Sequence, residues 1–79
     1  MKDIRIDEAL WGSSTDPEGM LDFWAMEDGR PVHTGEKVAE VLIEGACHEI
    51  FAPMDGILRH DMPVFAVLDP GSVIGHVEA

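Results

Sequence analysis

Basic residues are scarce in this sequence: five lysines and arginines stand against sixteen aspartates and glutamates, a formal net charge of −11 with the histidines neutral. That shortage excludes a chain built to grip the polyanionic backbone of DNA or RNA. An anionic membrane surface is disfavoured for the same reason. Protein partners with basic surfaces are favoured instead, and their attraction weakens as salt rises. Cysteine is nearly missing as well. Cys47 stands alone, so no internal disulfide framework exists. No run approaches the ~20 apolar residues needed to span a bilayer. The opening Met-Lys-Asp-Ile-Arg-Ile-Asp-Glu mixes charges where a signal peptide carries an apolar stretch. A cytoplasmic location is therefore expected. Catalytic signatures are absent too, with no glycine-rich phosphate loop before a helix and no nucleophile elbow. The four histidines, His33, His48, His60 and His76, lack the close His/Cys spacing of a zinc site. Cys47 and His48 are adjacent, but neighbours on a strand point to opposite faces. The expectation is a non-catalytic domain with no metal and no cofactor.

What is present fits one small domain over residues 1–79. A chain of this length buries little more than ~60% of its unfolded surface, so its core is thin. Apolar residues make up 46% of it, normal for a globular protein. Turn signals recur at Asp28-Gly29, Thr34-Gly35, Glu44-Gly45, Asp55-Gly56 and Asp69-Pro70-Gly71. Most gaps between them have strand length, and the runs Val38, Val41, Ile43 and His48, Ile50, Phe51 suit strands. Leu21 to Met26 alone has the look of a helical turn, but Gly19 and Gly29 bracket it too tightly. Short strands at this spacing predict an all-β sandwich or barrel. The stretch Gly12 to Gly19 reads as a polar loop.

The two halves also echo each other. Val32, Gly35, Val38, Ala39 and Val41 match Leu68, Gly71, Ile74, Gly75 and Val77 at a constant offset of 36. Gly19-Met20-Leu21 answers Gly56-Ile57-Leu58 at an offset of 37. A duplicated unit with quasi-two-fold symmetry would bury two similar apolar faces against each other.

Those glycines, with Asp28-Gly29-Arg30-Pro31-Val32, Val38-Ala39-Glu40-Val41 and Ala52-Pro53 before Asp55-Gly56, resemble the biotinyl/lipoyl carrier domains. These are the swinging-arm modules of 2-oxo acid dehydrogenase acyltransferases and biotin-dependent carboxylases. The resemblance runs from Gly19 to Val77, with Ile4 to Ile6 as a first strand. It implies a flattened antiparallel barrel or sandwich of two sheets related by a quasi-dyad, the biotinyl/lipoyl-like hammerhead. It also implies an acceptor lysine at the tip of a tight hairpin, flanked by an acid and alanine in the lipoyl version. Here the tip reads Glu44, Gly45, Ala46. The flanks are similar; the lysine is missing.

Amide attachment of lipoate or biotin requires a primary amine, and glycine offers none. Lys2, at a frayed end, and Lys37, ahead of a strand, are poor substitutes. Gly45 reads as a structural residue able to take positive φ in a type I′ turn. Around the tip, strand alternation turns Cys47 outward, and the register that the resemblance implies places Leu42 outward as well, with Ile43 a third candidate for an exposed contact surface. The reading is a lipoyl-type fold that is not itself lipoylated or biotinylated and acts as a protein-interaction module. Its implied partners include dehydrogenase or carboxylase components. Two alternatives stand beside it. One is a working carrier with a noncovalent or Cys47-linked cofactor, although no basic neighbour in sequence activates that thiol. The other is a small oligomerising domain with Leu42 and Cys47 at a homodimer contact. Trp11, Phe23, Trp24, Phe51 and Phe65 are expected in the core, and His48 at its edge with a hydrogen-bonded nitrogen. His60-Asp61 reads as a loop pair, and Asp3, Asp7, Glu8, Asp16 and Glu18 as a solvated face. Pro63 cannot donate to a central ladder, so residues 59–67 should form an edge or an irregular loop.

Overall fold

A computed structural model describes residues 1–12 and 18–79, and the polar loop expected after Gly12 falls largely on the residues between, outside the described ones. Among the described residues seven strands form: β1 (Lys2–Arg5), β2 (Gly19–Trp24), β3 (Pro31–Val32), β4 (Lys37–Ile43), β5 (Ala46–Phe51), β6 (Gly56–His60) and β7 (Val73–Glu78). The fold is all-β. Every strand ladder is antiparallel, in two sheets ordered β1-β7-β6-β3 and β2-β4-β5. Lys2 pairs with Val77 and so belongs to a strand rather than a frayed end. The one helical element among the described residues is a single 3-10 turn, Glu8–Leu10, whose start is capped by the Asp7 carboxylate accepting from the Ala9 amide at 2.9 Å.

Alternation explains the core. On β4, Val41 and Ile43 point inward, while Glu40 and Leu42 point out. Val38 and Ala39 are both buried because the ladder to β5 shifts register between Lys37 and Ala39. β7 repeats this behaviour, with Ile74 and Gly75 buried in succession and a register shift against β1. Leu21, Leu58 and Leu68 complete the layer between the sheets.

The echo in sequence has counterparts in hydrogen bonding. Gly35 N–H donates to Ala52 and Ala52 N–H to Glu36, at 2.9 and 2.8 Å; Gly71 N–H donates to Ile6 and Ile6 N–H to Ser72, at 3.0 and 2.8 Å. Ala25 N–H reaches the Val38 carbonyl as Asp61 N–H reaches that of Ile74. Leu21 faces Val41 across one sheet, and Leu58 faces Val77 across the other.

Of residues 59–67, Arg59 and His60 instead continue the regular strand β6, paired with His76 and Gly75, and only the chain from Asp61 onward is irregular as Pro63 requires. After β6 the chain turns irregularly and returns along β2 without forming a regular strand. Phe65 N–H donates to Leu21, Leu21 N–H to Ala66 and Leu68 N–H to Gly19. A single bridge, Met20 to Val67, marks this irregular edge. On the other side no ladder joins β1 to β5, so the two sheets do not close into a barrel.

Three aromatic expectations are corrected. Trp11 is buried and Trp24 packs against the core, but Phe23, Phe51 and Phe65 are 40%, 51% and 68% exposed. The register shift between Leu21 and Phe23 carries Phe23 to the outer face opposite Glu40. Phe51 lies opposite Lys37 on an edge strand, and Phe65 occupies a turn with φ of 68°.

Within the four-stranded sheet, β6 runs so close to β7 at Gly56 that a methyl group there would land on the Glu78 carbonyl oxygen and within 2.8 Å of the Val77 side chain. At Gly35 nothing lies within 4 Å of such a methyl, and only its φ of 87° opposes substitution. Gly56→Ala should therefore cost about 2–3 kcal/mol in equilibrium urea unfolding, against about 1 kcal/mol for Gly35→Ala. Equal costs would refute the steric account.

Candidate functional site

The hairpin joining β4 to β5 is built by two residues. Ile43 pairs with Ala46, leaving Glu44 and Gly45 as the loop with φ of 50° and 83°. Two successive positive φ values define a type I′ turn, whose twist matches that of the flanking strands. Gly45 meets the steric requirement at the second position, and a side chain there would project into open space. Glu44 is not a free acid. Its carboxylate accepts the Gly12 amide at 2.6 Å, and its own N–H donates to Glu18 at 3.1 Å. The tip is thereby tied to both ends of the polar loop. A shallow hollow of about 140 Å³ lies beside it, lined by Met20, Leu42, Glu18 and the turn itself.

Leu42 and Cys47 face each other across the ladder on the outer face, as alternation predicts. Ile43 must be withdrawn from that surface. It is only 1% exposed, because it continues the inward row of Val41. The outer face instead gains Met20, opposite Leu42, together with Phe23 and Phe51. The β2 register shift that exposes Phe23 leaves no signal in the sequence.

That shift also assembles a polar group that sequence reading missed. Ligand atoms of Asp22, Glu40 and Cys47 lie within 4.8 Å of one another. Lys37 extends over the ring of Phe23, 5.3 Å from its centroid, and places its ammonium 2.9 Å from Glu40 and 3.4 Å from Glu49. The hydrogen bond to Glu40 raises the Lys37 pKa and lowers that of Glu40. The Lys37 ammonium is thus engaged by two carboxylates rather than presented as a free amine. Cys47 is exposed, yet its thiol is pushed up, first by the hydrogen bond to Glu40, then by desolvation and by Glu40 and Asp22 charge. A thiol among carboxylates is a weak nucleophile. Asp22, Glu40 and Cys47 form the sole metal-type grouping among the described residues, and the Lys37 ammonium already neutralises its central carboxylate.

The histidines do not converge. His33 is exposed near Asp55, and His48 is half-buried opposite Val41 with no side-chain hydrogen bond among the described residues. His60 stacks on Trp24 with ring centroids 3.8 Å apart, and its Nε2 bonds the Met26 carbonyl at 2.8 Å. Asp61 turns away from His60 to meet His76 Nδ1 at 2.8 Å, correcting the expected loop pair. Glu78 stands 3.5 Å from the other nitrogen of His76 and accepts from Arg59 at 2.9 Å. No helix among the described residues is long and apolar enough to cross a membrane. A comparison with protein-family models gives no match, and a comparison with curated protein sequences gives none.

Two outcomes follow from these charges. The Asp61 hydrogen bond raises the His76 pKa above its ordinary value of 6.5, so folding favours imidazolium. That stability is complete below the unfolded pKa and fades as pH rises through the higher folded value. His76→Gln should then lower the melting temperature at about pH 5.5 and change it much less at about pH 8.5, by scanning calorimetry. A larger loss at the alkaline end would contradict the pairing. For Cys47, iodoacetamide alkylation near neutral pH should run slower than that of an unstructured cysteine. Glu40→Gln should accelerate it, and an unchanged rate would remove Glu40 as the cause.

Proposed function

We propose that this chain is a lipoyl-type carrier fold, quasi-two-fold in its design, that has lost its tethering point and serves as a protein-interaction module. The observation that carries the reading is Gly45, with φ of 83°, at a hairpin tip where a carrier domain needs a lysine. The repeated hydrogen-bond pairs at Gly35 and Gly71 support the two-fold relation. The hammerhead kinship rests on these and on the motif resemblance. Lys37 is no substitute, because its ammonium is bound to Glu40 and it begins β4, at the opposite end of that strand from the Glu44-Gly45 tip. A Cys47-linked cofactor is opposed by the carboxylates that hold the thiol protonated.

Partners with basic surfaces suit a chain of net charge −11. Dehydrogenase or carboxylase components of a multienzyme assembly are the partners the resemblance suggests. A homodimer through the Leu42 and Cys47 face would oppose two such charges, so a heterologous partner is the reading kept. The outer face pairs Met20 and Leu42 with Phe23 and Phe51, apolar contacts set among acids. Such a mixture suits a modest, salt-sensitive interface rather than an obligate one.

Co-expression with a lipoate ligase, followed by intact mass measurement of folded wild type and Gly45→Lys, tests the reading. Wild type should stay unmodified while the variant gains a lipoyl group. Left-handed backbone at position 45 should cost the variant about 1–2 kcal/mol, which urea unfolding can check. A lipoylated wild type would overturn the proposal, and a folded variant that also stays unmodified would sever the kinship.

A further inference from the structure

A recess larger than the hollow at the tip lies elsewhere among the described residues. It is a groove of about 370 Å³ between the free edges of the two sheets, flanked by β1 residues Asp3, Ile4 and Arg5 and by β5 residues Glu49, Ile50 and Phe51. Leu10 and Pro53 add to its apolar surface, and Asp7 to its rim. Its volume is near the lower bound of small-ligand sites, roughly 300–1,000 Å³. Its boundaries are unlike theirs, being two sheet edges. We infer that this groove accepts an extended segment of a partner protein, alternating basic and apolar residues, which adds to β5 as a further strand.

Backbone geometry supplies the first argument. In a two-residue hairpin the pair closing the turn exchanges both hydrogen bonds, and the pattern then alternates along the ladder. With Ile43 and Ala46 closing this turn, Ala46, His48 and Ile50 bond inward to β4. The N–H and C=O groups of Cys47 and Glu49 therefore point away, toward the open side. On β1, Ile6 bonds toward β7 through Ser72 and Gly71, so by the same alternation Asp3 and Arg5 present their backbone groups outward. Such a row of unpaired groups is a template for an incoming strand.

Side-chain chemistry then selects the guest. A strand laid on β5 sends alternate residues to the two faces of that sheet. Those on the inner side meet Ile4, Leu10, Ile50 and Pro53, and call for valine or isoleucine. Those on the outer side lie beside Glu49 and Phe51, and call for lysine or arginine with an alkyl stem over the ring. Lys37 approaches Glu49 at 3.4 Å but leaves its side chain 58% exposed. Across the groove Arg5 donates to the Gly71 carbonyl at 2.9 Å and is drawn aside, while Asp3 and Asp7 face solvent. The rim carries three carboxylates, Asp3, Asp7 and Glu49, against the one guanidinium of Arg5, so its balance is acidic. A second copy of this chain is a poor guest, because pairing β5 with β5 would bring Glu49 rows together on two molecules of net charge −11. This proposal rests on the interaction-module reading for the kind of partner, and on the groove alone for the mode of binding.

The test uses the full chain and an acetylated, amidated heptapeptide of alternating valine and lysine, titrated while amide chemical shifts are followed by NMR. The expected result is saturable shifts along Asp3 to Arg5 and Cys47 to Phe51, with slowed exchange of the Cys47 and Glu49 amides. The same peptide N-methylated on one edge keeps its charge and side chains but cannot pair, and should bind roughly tenfold more weakly or worse. Glu49→Gln should weaken the parent peptide roughly two- to fivefold, and a valine–glutamate peptide should not bind. Equal binding of the methylated peptide, shifts confined to the tip or the outer face, or no saturable shifts would each overturn the inference. A lipoylated wild type would end the reading of the tip and leave this result standing. An unmodified wild type that binds no strand would do the reverse.

Discussion

The register of β4 against β5 depends on a turn of two residues, both with positive φ, and most of the molecule's chemistry depends on that register. Because side chains alternate with period two, a slip of one position would exchange the faces of the whole hairpin. Val41 and Ile43 would leave the core, and Glu40 and Leu42 would enter it. Glycine at position 45 takes its positive φ without strain. The same glycine leaves the tip without an amine. Geometry and chemistry therefore meet at one residue.

A thin core tolerates this arrangement because its contacts repeat. The hydrogen-bond pairs around Gly35 and Gly71, and the register shifts that bury Val38 with Ala39 and Ile74 with Gly75, set two similar layers against each other. Each layer supplies what the other needs, a row of inward aliphatic side chains from neighbouring strands. The polar features lie outside this layer. Lys37 with Glu40 and Arg59 with Glu78 pair across or along strands at exposed or half-exposed positions, where ion pairs contribute modestly. Such pairs shape the surface potential and the reactivity of Cys47 more than they hold the fold.

Much of the strand layout was legible in the sequence, because turn signals and alternation are local. Val38 to Ile43, the turn at Glu44-Gly45 and the irregular return after Pro63 all followed from spacing and from residue types with known backbone limits. Two of the failures share a cause. Phe23 and Phe51 face outward where a register shift or an edge position decides exposure, and neither leaves a mark in the residue string, whereas the burial of Ile43 follows from its plain alternation with Val41. The cluster of Asp22, Glu40, Lys37 and Cys47 was hidden for the same reason, since it joins three strands through a bulge. The groove was invisible altogether. It arises from two edges that fail to meet, which is a property of sheet assembly rather than of either strand.

The stack of Trp24 on His60 has a use beyond packing. Trp24 belongs to one sheet and His60 to the other, and the rings lie nearly parallel at an interplanar angle of 10°. The contact persists only while the two layers keep their spacing. An imidazole lying against an indole alters its emission, so tryptophan fluorescence in this chain becomes a built-in gauge of whether the sheets are seated or sprung apart.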